Sequence, residues 1–337
     1  MITFPKQPGL CNFSAILPIF YLIPSYGLFG LINYTMHYGP TRKQYKGPFF
    51  TLFTLYTIVA VFLSLAIYFQ GHFLAAPMYL PLVTAMPQHG AWPAFTLALL
   101  YYSIISGQLV NSFITVNRFT VIFLKTNYPF FWRRYMKFFI VFIFTAPFIL
   151  IWQFPFSDVQ IYMFYPPTPS MGYHIKEGTI GPIDKAYVMI ATFGGTGIMS
   201  LGMNSYISCF LIKSFMPHGE GRRGGEDHDE SSPTNVRFFA FNIFVFVLEI
   251  CTAVLQGLMQ YIESPYVTEP HLYFIQVYVA ELNAFGPAWF MFFINTPLRT
   301  DIFTLIRRRT VKHRNVAIKS LTVTMSAVPK RETRSMF

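Results

Sequence analysis

Seven long apolar runs with almost no charge inside them constrain this chain more than any other feature. They lie at roughly 14–36, 49–71, 94–124, 138–156, 185–214, 237–262 and 271–296. A helix needs about 20 mostly apolar residues to cross the hydrocarbon of a bilayer. Each run allows one crossing, and the third and fifth are long enough to tilt or to extend beyond it. Strands are not expected, because no run alternates apolar and polar residues as a membrane barrel requires. The stretch 72–93 is apolar as well, but Pro77, Pro81, Pro87 and Pro93 would break a helix repeatedly. It reads as an outer loop. The expected fold is an all-α membrane protein, a seven-transmembrane helix bundle.

Composition agrees with this reading. Only 12% of the 337 residues are charged, against 53% hydrophobic and 19% aromatic, whereas a soluble domain carries about 25% charged residues. That excludes a disordered chain and most soluble enzymes. A net charge of +11 would suit a nucleic-acid partner, but the basic residues form short clusters between the runs, so no nucleic acid is expected. Loops 37–48, 125–137 and 213–237, with the tail after 297, hold 21 of the 25 Lys and Arg residues. The alternate loops hold only Lys6, Lys176 and Lys185, and Arg118 sits at the inner end of the third run. Basic loops stay in the cytoplasm, so the N-terminus is expected outside and the C-terminus inside. No cleavable signal is read at the N-terminus, so the first run is expected to remain as an anchor.

The chain then divides into a short extracellular N-terminus (1–13), the bundle (14–297) and a cytoplasmic part (298–337). In the last, Leu298, Ile302, Leu305 and Ile306 recur at helical spacing before Arg307, Arg308 and Arg309. That pattern predicts an amphipathic helix on the inner membrane surface, followed by a basic tail suited to anionic lipid or a protein partner. Residues 217–235 read as a flexible cytoplasmic loop. Asn12 opens a glycosylation sequon on the outer side, and Ser335–Met336–Phe337 is a candidate carboxy-terminal docking peptide. Three cysteines, Cys11, Cys209 and Cys251, make no disulfide framework.

Charge within a span costs about 3 kcal/mol at mid-membrane, and only Arg118, Glu249 and Glu281 are candidates. Each glutamate is either a counter-charge for a cationic ligand, a protonation switch, or a protonated carboxyl hydrogen-bonded inside the bundle. At least one is expected to line the core cavity. Arg118 either holds the bundle or a cytoplasmic partner, or snorkels to the interface. Asn204, Asn283 and Asn295 could bond between helices, but packing is the expected role. Pro147 and Pro287 can kink their helices, with neighbouring helices satisfying the freed carbonyls. The Gly194–Gly195–Thr196–Gly197 cluster permits close packing or a local unwinding, and close packing is expected. His72 and His89 fall in the outer loop without metal-ligand spacing, and no catalytic dyad lies within a span. Neither an enzyme nor a cofactor is expected. With so short an N-terminus, a ligand is expected to be small and to bind within the bundle or beneath the outer loops. Candidate contacts are Tyr101, Tyr102, Thr192, Gln256 and Gln260, with Glu249 and Glu281.

The segment Ser112–Phe113–Ile114–Thr115–Val116–Asn117–Arg118–Phe119–Thr120 closes the third run, with Tyr128 and Trp132 in the next loop. This resembles the Asn-Arg motif of nematode serpentine chemoreceptors of the gamma superfamily, class gamma or class v. The stretch Gly286–Pro287–Ala288–Trp289 through Leu298–Arg299 is similar in character. The resemblance implies a seven-span sensory receptor of the plasma membrane, with sensory cilia one candidate site. It would sense small molecules and signal through a heterotrimeric G protein, with a coupling role for Asn117, Arg118 and Thr120. Departures are plain. The sixth run has neither Pro nor Trp, Asn295–Thr296–Pro297 is not followed by the tyrosine motif of rhodopsin-like receptors, no Cys tops the third run, and Lys125 stands where Pro is expected. The alternative class is a seven-span transporter or ligand-gated channel. Scarce buried charge and the lack of internal repeats speak against it.

Overall fold

Inside a bilayer a backbone must satisfy its own hydrogen bonds, and each of the seven runs does so as one helix. The computed structural model describes residues 8–39, 41–74, 76–165, 168–175, 185–215, 232–261 and 269–307. In chain order the helices are α1 (Pro8–Tyr38), α2 (Pro48–Ile67), the short α3 (Leu80–Ala85), α4 (Ala91–Leu124), α5 (Tyr128–Ile151), α6 (Lys185–Phe215), α7 (Ser232–Tyr261) and α8 (Glu269–Ile294). A further helix, α9, covers 296–307. Among the described residues, four stretches are long and apolar enough to cross a membrane: 16–38, 48–73, 91–156, which holds both α4 and α5, and 275–294. α6 lies against α4 and α7, and α7 lies against α8, so both complete the bundle. α4 is its centre, touching α2, α5, α6 and α7.

The helices overrun several expected ends. The expected loop 125–137 shrinks to one 3₁₀ turn, Lys125–Asn127, because α5 already begins at Tyr128. Pro129 sits in its first turn, where the missing N–H has no partner to lose. Lys125 makes the reversal with φ 45°. A proline ring, fixed near −65°, cannot adopt that value, so this chain's departure from Pro at 125 matches its backbone.

Strands were not expected, yet β1 (Val159–Tyr165) and β2 (Thr168–Ile175) pair as an antiparallel hairpin between α5 and α6. β1 is built of β-branched and aromatic residues, which fit a pleated, half-buried surface. The hairpin is tied to the segment before α4 by Ile161 N donating to Gln88 O at 2.9 Å. Val159 and Ile161 are buried.

At the opposite end, α8 passes into α9 through a single non-helical residue, Asn295. Its side chain caps the new helix, accepting from Leu298 N at 3.1 Å. The amphipathic helix read from the sequence is present, but not all of its apolar side faces a membrane surface. Leu298 and Ile302 are 0% and 1% exposed within the bundle core, while Phe303 and Ile306 are exposed. Asp301 pins the helix to the turn between α1 and α2, accepting from the hydroxyls of Thr41 and, at 2.7 Å, Tyr45. Burial, then the Asp301 carboxylate, raise the Tyr45 phenol above its ordinary value, so it stays neutral and donating.

One packing expectation is corrected. A Cβ placed on Gly194, Gly195 or Gly197 would meet nothing within 4 Å among the described residues, so that cluster makes no close contact there. Asn204 is buried and its side-chain amide has no partner among the described residues, which leaves it the expected packing role. The loop 216–231 and the tail 308–337, with Ser335–Met336–Phe337, lie outside the described residues.

Candidate functional site

One turn of α4 brings Gln108 and Asn111 onto the same face. That face borders a cavity of about 50 Å³ at mid-depth between α2, α4, α6, α7 and α8. Its polar wall is Tyr56, Gln108, Asn111, Thr252, Gln276 and Asn283, and its apolar wall includes Val59, Leu63, Ile104 and Phe193. A water needs about 10–15 Å³ by this measure, so the space admits a few heavy atoms.

The cavity adjoins a break in α8. Pro287 has no N–H, so the carbonyl of Asn283, four residues earlier, loses its helical donor. The Tyr56 hydroxyl replaces it, reaching Asn283 O at 2.5 Å and Ala284 O at 3.0 Å. The expected kink compensation is thus real, and its donor comes from α2. On α5 the Tyr102 hydroxyl donates to Phe144 O at 3.0 Å, one residue past the Ile143 carbonyl that Pro147 deprives of its donor.

The two buried glutamates sit apart. Glu249 is 5% exposed, with the Asn111 amide bonded to its carboxyl. Glu281 is 2% exposed, accepting from the Tyr21 hydroxyl and lying 3.0 Å from His72 Nε2. Both glutamates face the core rather than lipid, and neither is among the wall residues of this cavity. Glu249 adjoins the cavity through Asn111, one of its wall residues. His72 is not a loop residue either. The turn Tyr68–Phe73 winds as a π-helix and carries His72 inward, where it is 1% exposed. The approach depends on Gly71, since a Cβ there would lie 2.8 Å from both methyls of Val277 on α8.

The other expected ligand contacts are engaged in the bundle itself. Tyr101 packs edge-on against Phe154, ring centroids 5.0 Å apart. Tyr102 serves α5, and the Thr192 hydroxyl donates to Val188 O at 2.7 Å in its own helix. The side chains of Asn12, Gln256 and Gln260 lie outside the described residues. Sequence reasoning missed Tyr56, Gln108 and Thr252 and gave Asn283 only a packing role. Their signal was present: Gln108 and Asn111 are a polar pair one turn apart inside an apolar run.

At the α9 end of α4, Asn117 is fully buried and donates to Tyr128 Oη at 2.9 Å. Thr120 accepts from Trp132 Nε1 at 2.9 Å. Arg118 points the other way, its guanidinium 3.8 Å above the centre of the Phe49 ring on α2. The motif therefore ties α4 to α5 through Asn117 and Thr120, and to α2 through Arg118. Among the described residues, no group of three or more His, Cys, Asp or Glu is placed to hold a metal.

Seven long helices gathered round a small, largely apolar cavity make a membrane bundle of the serpentine kind, and its family is shown by comparison. The family model of the Srg family chemoreceptors matches residues 15–302, and the chain belongs to that family. Serpentine receptor class gamma-4 of Caenorhabditis elegans is 27% identical over 153 residues, covering 44% of this chain and 47% of the relative. Serpentine receptor class gamma-5 of the same organism is 24% identical over 159 residues, covering 47% and 49%. The match spans about half the length of each of these curated relatives.

Proposed function

We propose that this chain is a chemosensory receptor that takes a small molecule into its central cavity and signals through a heterotrimeric G protein. The observation that carries the reading is the position of the cavity. Tyr56 and Asn283 belong both to its wall and to the compensated break at Pro287. An occupant that bonds them better in one arrangement of α8 than in another shifts the population between the two. The distribution of Lys and Arg supports an extracellular N-terminus, residues 1–13, and a cytoplasmic face carrying α9 and the tail in the plasma membrane. Asn117, Arg118 and Thr120 lie at that face and are the proposed coupling residues. The basic loops there suit anionic lipid and a G-protein surface alike.

The test is expression in a heterologous cell with a G-protein readout, screened against small volatile and water-soluble compounds. Gly107 borders the cavity and a Cβ on it meets only Val59, at 3.8 Å. Gly107→Leu should therefore fill the space and abolish the response while surface expression is kept. A response untouched by Gly107→Leu, or a current evoked without any G protein, would overturn the reading.

A further inference from the structure

We propose that the central cavity binds a short-chain primary alkylammonium ion, with its three N–H donors on the side-chain oxygens of Gln108, Asn111 and Asn283. The inference rests on the reading of this cavity as the ligand site and names the ligand's chemistry. All three residues line the cavity and are 3%, 4% and 9% exposed. Each has a buried side-chain oxygen without a hydrogen-bond partner: Gln108 Oε1, Asn111 Oδ1 and Asn283 Oδ1. Leaving such an atom unpaired inside a protein is costly, and here three wall residues of one small space each carry one among the described residues. What fills that space must donate. A hydroxyl brings one donor, water two, and a primary ammonium three spread around one nitrogen.

The favoured charge follows from the three oxygen dipoles, one of which belongs to the residue that bonds Glu249. The buried Glu249 carboxyl is bonded by the Asn111 amide, which turns the oxygen end of the Asn111 dipole away from the carboxyl. Among the described residues the cavity wall carries no Lys, Arg or His. A cation in the cavity therefore meets three oxygen dipoles with a carboxyl one residue behind them. The size follows from the volume: about 50 Å³ at about 10–15 Å³ for each water-sized group holds a nitrogen and about two or three carbons. Val59, Leu63, Ile104 and Phe193 give the alkyl part an apolar seat.

The experiment uses the full-length chain in lipid nanodiscs, with thermal unfolding followed at constant pH and ionic strength. Three probes are titrated: ethylammonium, ethanol and tetramethylammonium. Ethanol keeps a donor without charge, and tetramethylammonium keeps charge without donors. Ethylammonium should raise Tm in a saturable way, and the other two should not at the same concentration. Gln108→Leu and Asn283→Leu should each weaken the ethylammonium effect at least about tenfold, the loss expected for a bond to a charged group. Glu249→Gln should weaken it while keeping the shape of the site. If that variant does not fold, the two leucine variants carry the test alone. Equal stabilisation by ethanol, an ethylammonium effect that survives both leucine substitutions, or no shift with any probe would each overturn the assignment. In the last case, a G-protein response to another compound that Gly107→Leu removes would discard the ammonium and keep the cavity.

Discussion

A tyrosine hydroxyl aimed at a proline-orphaned carbonyl is the smallest device that explains how this bundle tolerates its breaks. Tyr56→Phe leaves the carbonyl of Asn283, which Pro287 cannot serve, without its donor. The expected loss is about 0.6–2 kcal/mol, read as a lowered midpoint of thermal unfolding in nanodiscs. Pro287→Ala restores the N–H that Asn283 O lacks. In that background Tyr56→Phe should cost clearly less, and a double-mutant cycle with no coupling would reject the account. The sequence made Pro287 and its need legible, because a missing N–H is a local fact. It did not make Tyr56 legible, since the donor stands 227 residues away in the chain and an aromatic within an apolar run has no distinguishing local pattern.

Elements meet closely at the point where α2 unwinds into its π turn against α8. Gly71→Ala places a methyl 2.8 Å from both Val277 methyls, so α2 and α8 must separate and His72 must leave Glu281. That variant should unfold at lower temperature, and Val277→Ala added to it should restore most of the loss. Failure of the second substitution to rescue would show that the close approach is not the cause. At the other end, Asn295→Ala removes the cap of α9 and should cost about 1 kcal/mol, measurable as faster amide exchange through 296–302. The helices themselves were legible because hydrophobic length speaks directly to a bilayer. The hairpin was not, because β1 is short and its Val, Ile, Tyr and Phe residues read equally well as the end of an apolar helix. The helix α9 was legible in its period but not in its facing, which depends on a docking surface made by other elements.

For the whole molecule the decisive expectation is topology. An epitope fused after Phe337 should be reached by antibody only in permeabilised cells. Staining of intact cells would reverse the bundle and remove the cytoplasmic role proposed for Asn117, Arg118 and Thr120. Seven crossings were readable from runs of apolar residues, and the Asn-Arg segment was enough to point toward the family. The cavity was not readable, because it is formed where five helices meet and no single helix pattern reports such a junction. The same junction has a consequence further down the chain. Only Asn295 separates α8 from α9, Leu298 and Ile302 root α9 in the core, and Asp301 grips Thr41 and Tyr45. A swing of the lower half of α8 about Pro287 therefore has no slack in which to dissipate. It would carry α9 and the α1–α2 turn with it, as a single crank on that face of the bundle.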